Sequence, residues 1–173
     1  MASRVLVAYA SKYGATKEIA NKIGEILQEA SLKVNVLSAG QVYDLTPYDA
    51  VVLGSAVYDR KWCMEAAAFL ATYESSLAKI PVWLFSSGAI GKGDPTMLMN
   101  GWHFPAELQA LAYRIHPRDI TFFHGAINIE KLNFAEKQIA KEFYTPLGDY
   151  RDWNAITNWA VSIAVSLRSE VAE

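Results

Sequence analysis

The stretch RVLVAYASKYGAT, residues 4–16, runs from a short apolar segment into a turn built of hydroxyls, a lysine and a glycine. Arg4 to Ala10 has the composition of a strand buried on both faces. From Thr16 onward, Ile19, Ala20, Ile23, Ile26, Leu27 and Ala30 recur at the spacing of one helix face. Lys17, Glu18, Lys22, Glu25 and Glu29 occupy the opposite side, so the segment predicts a helix packed on a sheet. A strand, a tight turn and an amphipathic helix in this order form the first unit of a layered α/β domain.

The same alternation continues. Lys33 to Leu37 predicts a second, more peripheral strand, and after the loop Ala39 to Pro47 the run Ala50 to Gly54 predicts a third. Met64 to Leu77 carries Ala67, Phe69, Leu70, Tyr73 and Leu77 at helical spacing, and Pro81 then opens a fourth strand, Val82 to Ser86. A long glycine-bearing loop, Gly88 to His103, leads to a helix that Pro105 starts and His116-Pro117 closes. Ile120 to Asn128 predicts the fifth strand and Glu130 to Phe143 a further helix. Asp152 is placed to cap a last one from Trp153 to about Leu167. The pattern predicts a doubly wound α/β fold, read as a single domain over residues 1–173.

Composition narrows the function. The chain has 173 residues, 52% hydrophobic and 20% charged, which suits one compact core. A formal charge of −2 without a basic cluster argues against a nucleic-acid partner. The single Cys63 has no partner for a disulfide, and no HExxH-type pair accompanies it, so neither a metal site nor an oxidising setting is expected and the cytoplasm is the default. Lys12 interrupts the first apolar run before it reaches the length of a secretory signal. Trp153 to Leu167 falls short of the ~20 apolar residues a membrane span needs, so no transmembrane segment is expected. Oligomeric state has no signature.

In a doubly wound sheet the ligand crevice lies beyond the carboxyl ends of the central strands, so the loops leaving strands one, three and four should meet. The first, Ser11-Lys12-Tyr13-Gly14-Ala15-Thr16, offers two hydroxyls, a glycine permitting close backbone approach and the start of a helix, which together suit a phosphate. An ordinary strand-to-helix turn with a capping hydroxyl accounts for the same residues. No GxxxxGK[ST] or GxGxxG is present, which disfavours nucleoside triphosphates and NAD, and the acids of a phosphoacceptor are missing after the first strand. The second loop, reaching from Ser55, Ala56 and Val57 to Tyr58 and Asp59 and on to Trp62, has aromatics suited to covering a flat ring. Trp62 also suits the buried start of the next helix. Ser87, Gly88, Ala89, Ile90 and Gly91 in the third loop bring main-chain groups to the edge of such a ring.

These three loops, in this order, resemble the flavodoxin family, with SKYGAT matching its first turn at Ser11, Gly14 and Thr16. The resemblance implies a five-stranded parallel sheet with helices on both faces, and FMN bound with its phosphate on Ser11 to Thr16. The ring would lie between Ser55 to Asp59 and Ser87 to Gly91, with Tyr58 stacking on it and the Asp59 backbone near flavin N5. Within the family the chain is similar to menaquinone-dependent protoporphyrinogen oxidases at Val51 to Val57, Gly125-Ala126 and Asp152-Trp153. It departs from them after the fifth strand, where Asn128 to Phe143 mixes acids and bases instead of forming a basic aromatic segment, which puts peripheral membrane contact and quinone reduction in doubt.

The resemblance thus leads to an FMN-dependent oxidoreductase that passes electrons from a substrate to an acceptor such as a quinone. A soluble electron carrier without its own substrate is the alternative, and a cofactor-free scaffold of the same fold is the second. Arg60, Lys61 and Lys92 beside the expected ring suggest a reduced flavin stabilised by positive charge, unless solvent screens them. His103, in the long loop, is the one candidate for a proton-transferring side chain.

Overall fold

The computed structural model describes residues 3–171. Five parallel strands, β1 (Arg4–Ala10), β2 (Lys33–Ser38), β3 (Ala50–Tyr58), β4 (Val82–Ala89) and β5 (Asp119–His124), lie in the order β2-β1-β3-β4-β5. The chain winds outward from β1 in both directions, as the alternating pattern predicts. Besides a single helical turn at Pro95–Leu98, the α-helices are α1 (Ala15–Glu29), α2 (Met64–Thr72), α3 (Glu74–Leu77), α4 (Gln109–Ile115), α5 (Phe134–Glu142) and α6 (Trp153–Val171).

The central strands are apolar without interruption because each faces a helix layer on both sides. Val5 and Val7 pack with Ile19, Ile23 and Leu27 of α1 and with Ile156 and Ile163 of α6. Their neighbours Leu6 and Ala8 point the other way, onto Phe69 and Leu70 of α2, Leu77 of α3 and Ile115 of α4. Gly54 is dictated by packing. It pairs across the sheet with Phe85, and a Cβ at position 54 would stand 1.9 Å from that fully buried ring. The ring uses this space to reach Phe123 and Trp159, with centroids 5.8 and 5.9 Å away.

Several boundaries differ from the sequence expectation. β3 continues through Tyr58 and β4 through Ala89, so residues expected in loops extend the sheet instead. At the end of β3, Asp59 and Arg60 both adopt positive φ, 49° and 59°, the conformation of a two-residue hairpin turn. Lys61–Trp62 then returns antiparallel on Tyr58 and Val57. The helix expected over Met64 to Leu77 is interrupted at Tyr73, whose hydroxyl donates to the Val42 carbonyl at 2.9 Å. The fifth strand ends at His124. Beyond Gly125, Ala126–Ile127 forms a short antiparallel pair with Gly148–Asp149, and α5 lies between them. The helix expected from Glu130 begins instead at Phe134, where Asn133 and Glu136 form a reciprocal capping box. Asp152 does cap α6, accepting the Ala155 amide at 3.0 Å.

Candidate functional site

Beyond the carboxyl ends of β1, β3 and β4, a cavity of about 260 Å³ opens at the point where the strand order reverses. Its first wall is the turn between β1 and α1. The Ser11 hydroxyl accepts the Gly14 amide at 3.0 Å, and Gly14 takes φ 94°, a left-handed conformation that a residue without Cβ adopts at little cost. The first intrahelical bond of α1 is Glu18 N–H to the Gly14 carbonyl, so the amides of Ala15, Thr16 and Lys17 precede the helical ladder. Thr16 is buried beneath them and lines the cavity. Lys131 sits at the same turn, its Nζ donating to the Tyr13 carbonyl at 3.0 Å. Helix-end amides and two hydroxyls make this end of the cavity suited to an anion, with Lys131 beside the same turn but outside the lining.

The second wall is the end of β3, with Ala56, Val57 and Tyr58, and the third is the end of β4, with Ser87, Gly88 and Ile90. Tyr13 and Tyr58 meet edge to face with centroids 6.3 Å apart. Loss of water around Tyr58 pushes its phenol up to about 12. Gly125 closes the floor against Gly88, where a Cβ at 125 would lie 2.8 Å from the Gly88 Cα. This contact lets the ends of β4 and β5 approach closely beneath the cavity.

The fourth wall was not foreseen. Leu132, Glu136, Ile139, Ala140 and Thr145, from the segment that interrupts the antiparallel pair, roof the cavity. Glu136 accepts hydrogen bonds from Lys12 Nζ at 2.7 Å and from the Tyr13 hydroxyl. The Lys12 ammonium, then the Tyr13 hydroxyl, holds the Glu136 carboxyl down at about 2. Conversely, the hydrogen bond to Glu136 raises Lys12, while burial and then Glu136 raise Tyr13. Asn133-x-x-Glu136 was readable as a helix start, but nothing local in sequence says that the same carboxylate reaches the first loop more than a hundred residues earlier. Arg151 was missed in the same way. Its guanidinium bonds the Ala15 carbonyl at 3.1 Å and pairs with Glu18 and Asp149, tying the start of α1 to the antiparallel pair.

Of the residues singled out in sequence, Ser11, Tyr13, Ala15, Thr16, Ala56, Val57, Tyr58, Ser87, Gly88 and Ile90 come together around this cavity. Gly14 shapes the turn, Lys12 reaches toward the roof, and Asp59 occupies the hairpin turn rather than the cavity wall. Ala89 and Gly91 flank Ile90 without joining the lining. Ser55 is fully buried within β3, donating to the Ala56 carbonyl at 2.8 Å and accepting the Cys63 amide at 2.9 Å. Trp62 is a core anchor, with its indole N–H donating to Ser86 at 2.8 Å. Burial pushes the Cys63 thiol up, which leaves it unsuited to act as a nucleophile. His103 is elsewhere: it lines a separate groove with His116, Pro117 and Ile120 and is not part of the cavity wall. Arg60, Lys61 and Lys92 are exposed to solvent, where their charges are screened.

A family model described as a flavodoxin domain matches residues 6–154. No curated protein sequence matches the chain. Among solved structures, the chain is similar to a flavodoxin from the domain Archaea, with a TM-score of 0.60 at 16% identity over 95% of this chain and 99% of that one. It is similar to oxidised Flavodoxin 2 from Bacillus cereus, with a TM-score of 0.59 at 19% identity over 95% and 99% of the two chains. It also superimposes on rubredoxin oxygen:oxidoreductase from Desulfovibrio gigas, with a TM-score of 0.61 at 16% identity, where 98% of this chain covers 37% of that one. At these identities the structural likeness establishes the fold.

Proposed function

Because this chain belongs to the flavodoxin domain family, we propose that it is an FMN-binding electron-transfer protein whose cofactor occupies the cavity above β1, β3 and β4. FMN is the cofactor of the family's structural neighbours. The observation that carries the assignment to this chain is the meeting, in one cavity, of an anion-suited turn at Ser11 to Thr16 with a mainly apolar space bounded by Tyr58 and Gly88. A phosphate would rest on the Ala15 to Lys17 amides with Ser11 and Thr16 as hydroxyl donors. The ring would lie along Val57 and Tyr58, its polar edge toward the main chain of Ser87 to Ile90. Bound there, FMN supplies the electron-carrying chemistry. The protein holds and orients it, and removes water from one side.

The reading treats residues 1–173 as one domain and keeps the cytoplasm as its setting. Among the described residues, no helix is long and apolar enough to cross a membrane. The finer assignment, substrate oxidation of the protoporphyrinogen oxidase kind, rests on Val51 to Val57, Gly125-Ala126 and Asp152-Trp153. His103 lines a groove separate from the cavity and supplies no acid or base to such a reaction.

The test is retention of flavin. Purified protein mixed with FMN or with riboflavin, then freed of unbound ligand, should keep FMN far better, because riboflavin lacks the phosphate. Thr16→Ala should weaken FMN about tenfold or more, the scale of one hydrogen bond to a charged group, and leave riboflavin unchanged. Failure to retain either flavin would overturn the assignment.

A further inference from the structure

The segment 128–147 is attached to the rest of the molecule in an unusual way. Its helix, α5, contains no buried residue, and Phe134, Phe143 and Tyr144 are largely exposed. A nine-residue helix without a buried face is not stable by itself. Its inward residues, Leu132, Ile139 and Ala140, face the cavity rather than a packed core. What fastens the segment is polar: Glu136 to Lys12 and Tyr13, and Lys131 to the Tyr13 carbonyl. Every one of these bonds ends on the turn that is suited to an anion.

We propose that residues 128–147 form a lid over the cofactor cavity and that Glu136 is its latch to the Ser11 to Thr16 turn. The proposal rests on the cofactor reading for what the lid covers, but not for the latch. One carboxylate performs two tasks. Glu136 Oε2 accepts the Asn133 amide at 2.9 Å and starts α5, while Oε1 binds Lys12 and Tyr13. Forming the helix therefore presents the latch, and releasing the latch removes the contacts that hold the helix. The apolar underside of the lid is completed only by a ring filling the cavity, so occupant and latch favour the closed position together. With the latch broken, the ring edge is open to a redox partner or to departure of the cofactor.

Two variants, compared with the parent protein, separate the possibilities. Glu136→Gln preserves the capping box, which accepts Glu or Gln, and removes the charge. The double variant Lys12→Met/Tyr13→Phe leaves α5 unaltered and removes the partners on the turn. Amide hydrogen exchange of the flavin-free full chain should become about tenfold faster in α5 for both variants, with α6 unchanged. In FMN-loaded protein, release of FMN should accelerate in both by a similar factor. Unchanged exchange in the double variant would overturn the latch, since Glu136 would then serve only its own helix. Altered exchange in a protein that never retains FMN would keep the latch and remove the cofactor reading.

Discussion

At the scale of single residues, spatial constraints dominate. Gly54 looked like a strand end in sequence, yet it lies mid-strand and is small because Phe85 covers it. Gly54→Ala should destabilise the fold by about 1–3 kcal/mol through overpacking, read as a lower denaturation midpoint at unchanged slope. Partial burial pushes the Tyr58 phenol up to about 12. An absorbance titration should therefore show a phenol ionising near pH 12 that disappears in Tyr58→Phe. For Glu136 the direction is opposite. Its carboxyl lies at about 2 instead of the usual 4.5, so the folded state favours the ionised form. The contribution is complete above about pH 4.5 and is lost as pH falls toward 2. Protection of α5 amides, corrected for intrinsic exchange, should be flat above pH 5 and decline below 4.5. The residues legible as site candidates were those whose role is local: Ser11, Gly14 and Thr16 within one turn, Tyr58 and Gly88 at strand ends. Glu136 and Arg151 act across more than a hundred residues of sequence, and His103 was drawn in by its long loop although its side chain lines a groove separate from the cavity.

At the scale of elements, the helices and strands facing a layer on both sides declared themselves through apolar spacing. Their ends were settled by contacts the spacing does not encode. β3 outlasts its apolar run because the Asp59-Arg60 hairpin folds Trp62 back to Ser86, and β5 stops short because Gly125 is pressed against Gly88. The start of α6 was legible, since capping is local. Asp152→Ala should cost about 1 kcal/mol by leaving the Ala155 amide without its acceptor, measurable by thermal or urea unfolding. Asn133→Ala removes the equivalent acceptor in α5, but there the loss should appear as faster local exchange with little change in global stability, because α5 adds nothing to either core layer.

At the scale of the whole molecule, the two helix layers and the 2-1-3-4-5 strand order place the amino end of α1 and the ends of β3 and β4 around one opening. The alternation of elements made this arrangement legible, and the cofactor expectation follows the family. What the alternation could not reveal was the roof. The pairing of Ala126 with Asp149 and Ile127 with Gly148 brings the two ends of the roof side by side. Residues 128–147 therefore leave and rejoin the body at a single doorway, and a two-residue Asn-Gly turn has the geometry to seal it. A chain shortened in this way should keep a cooperative unfolding transition while losing its grip on FMN. The doorway also makes the roof an exchangeable part: a segment of different length or chemistry could be fitted there to retune what reaches the cavity, without rewriting the sheet beneath.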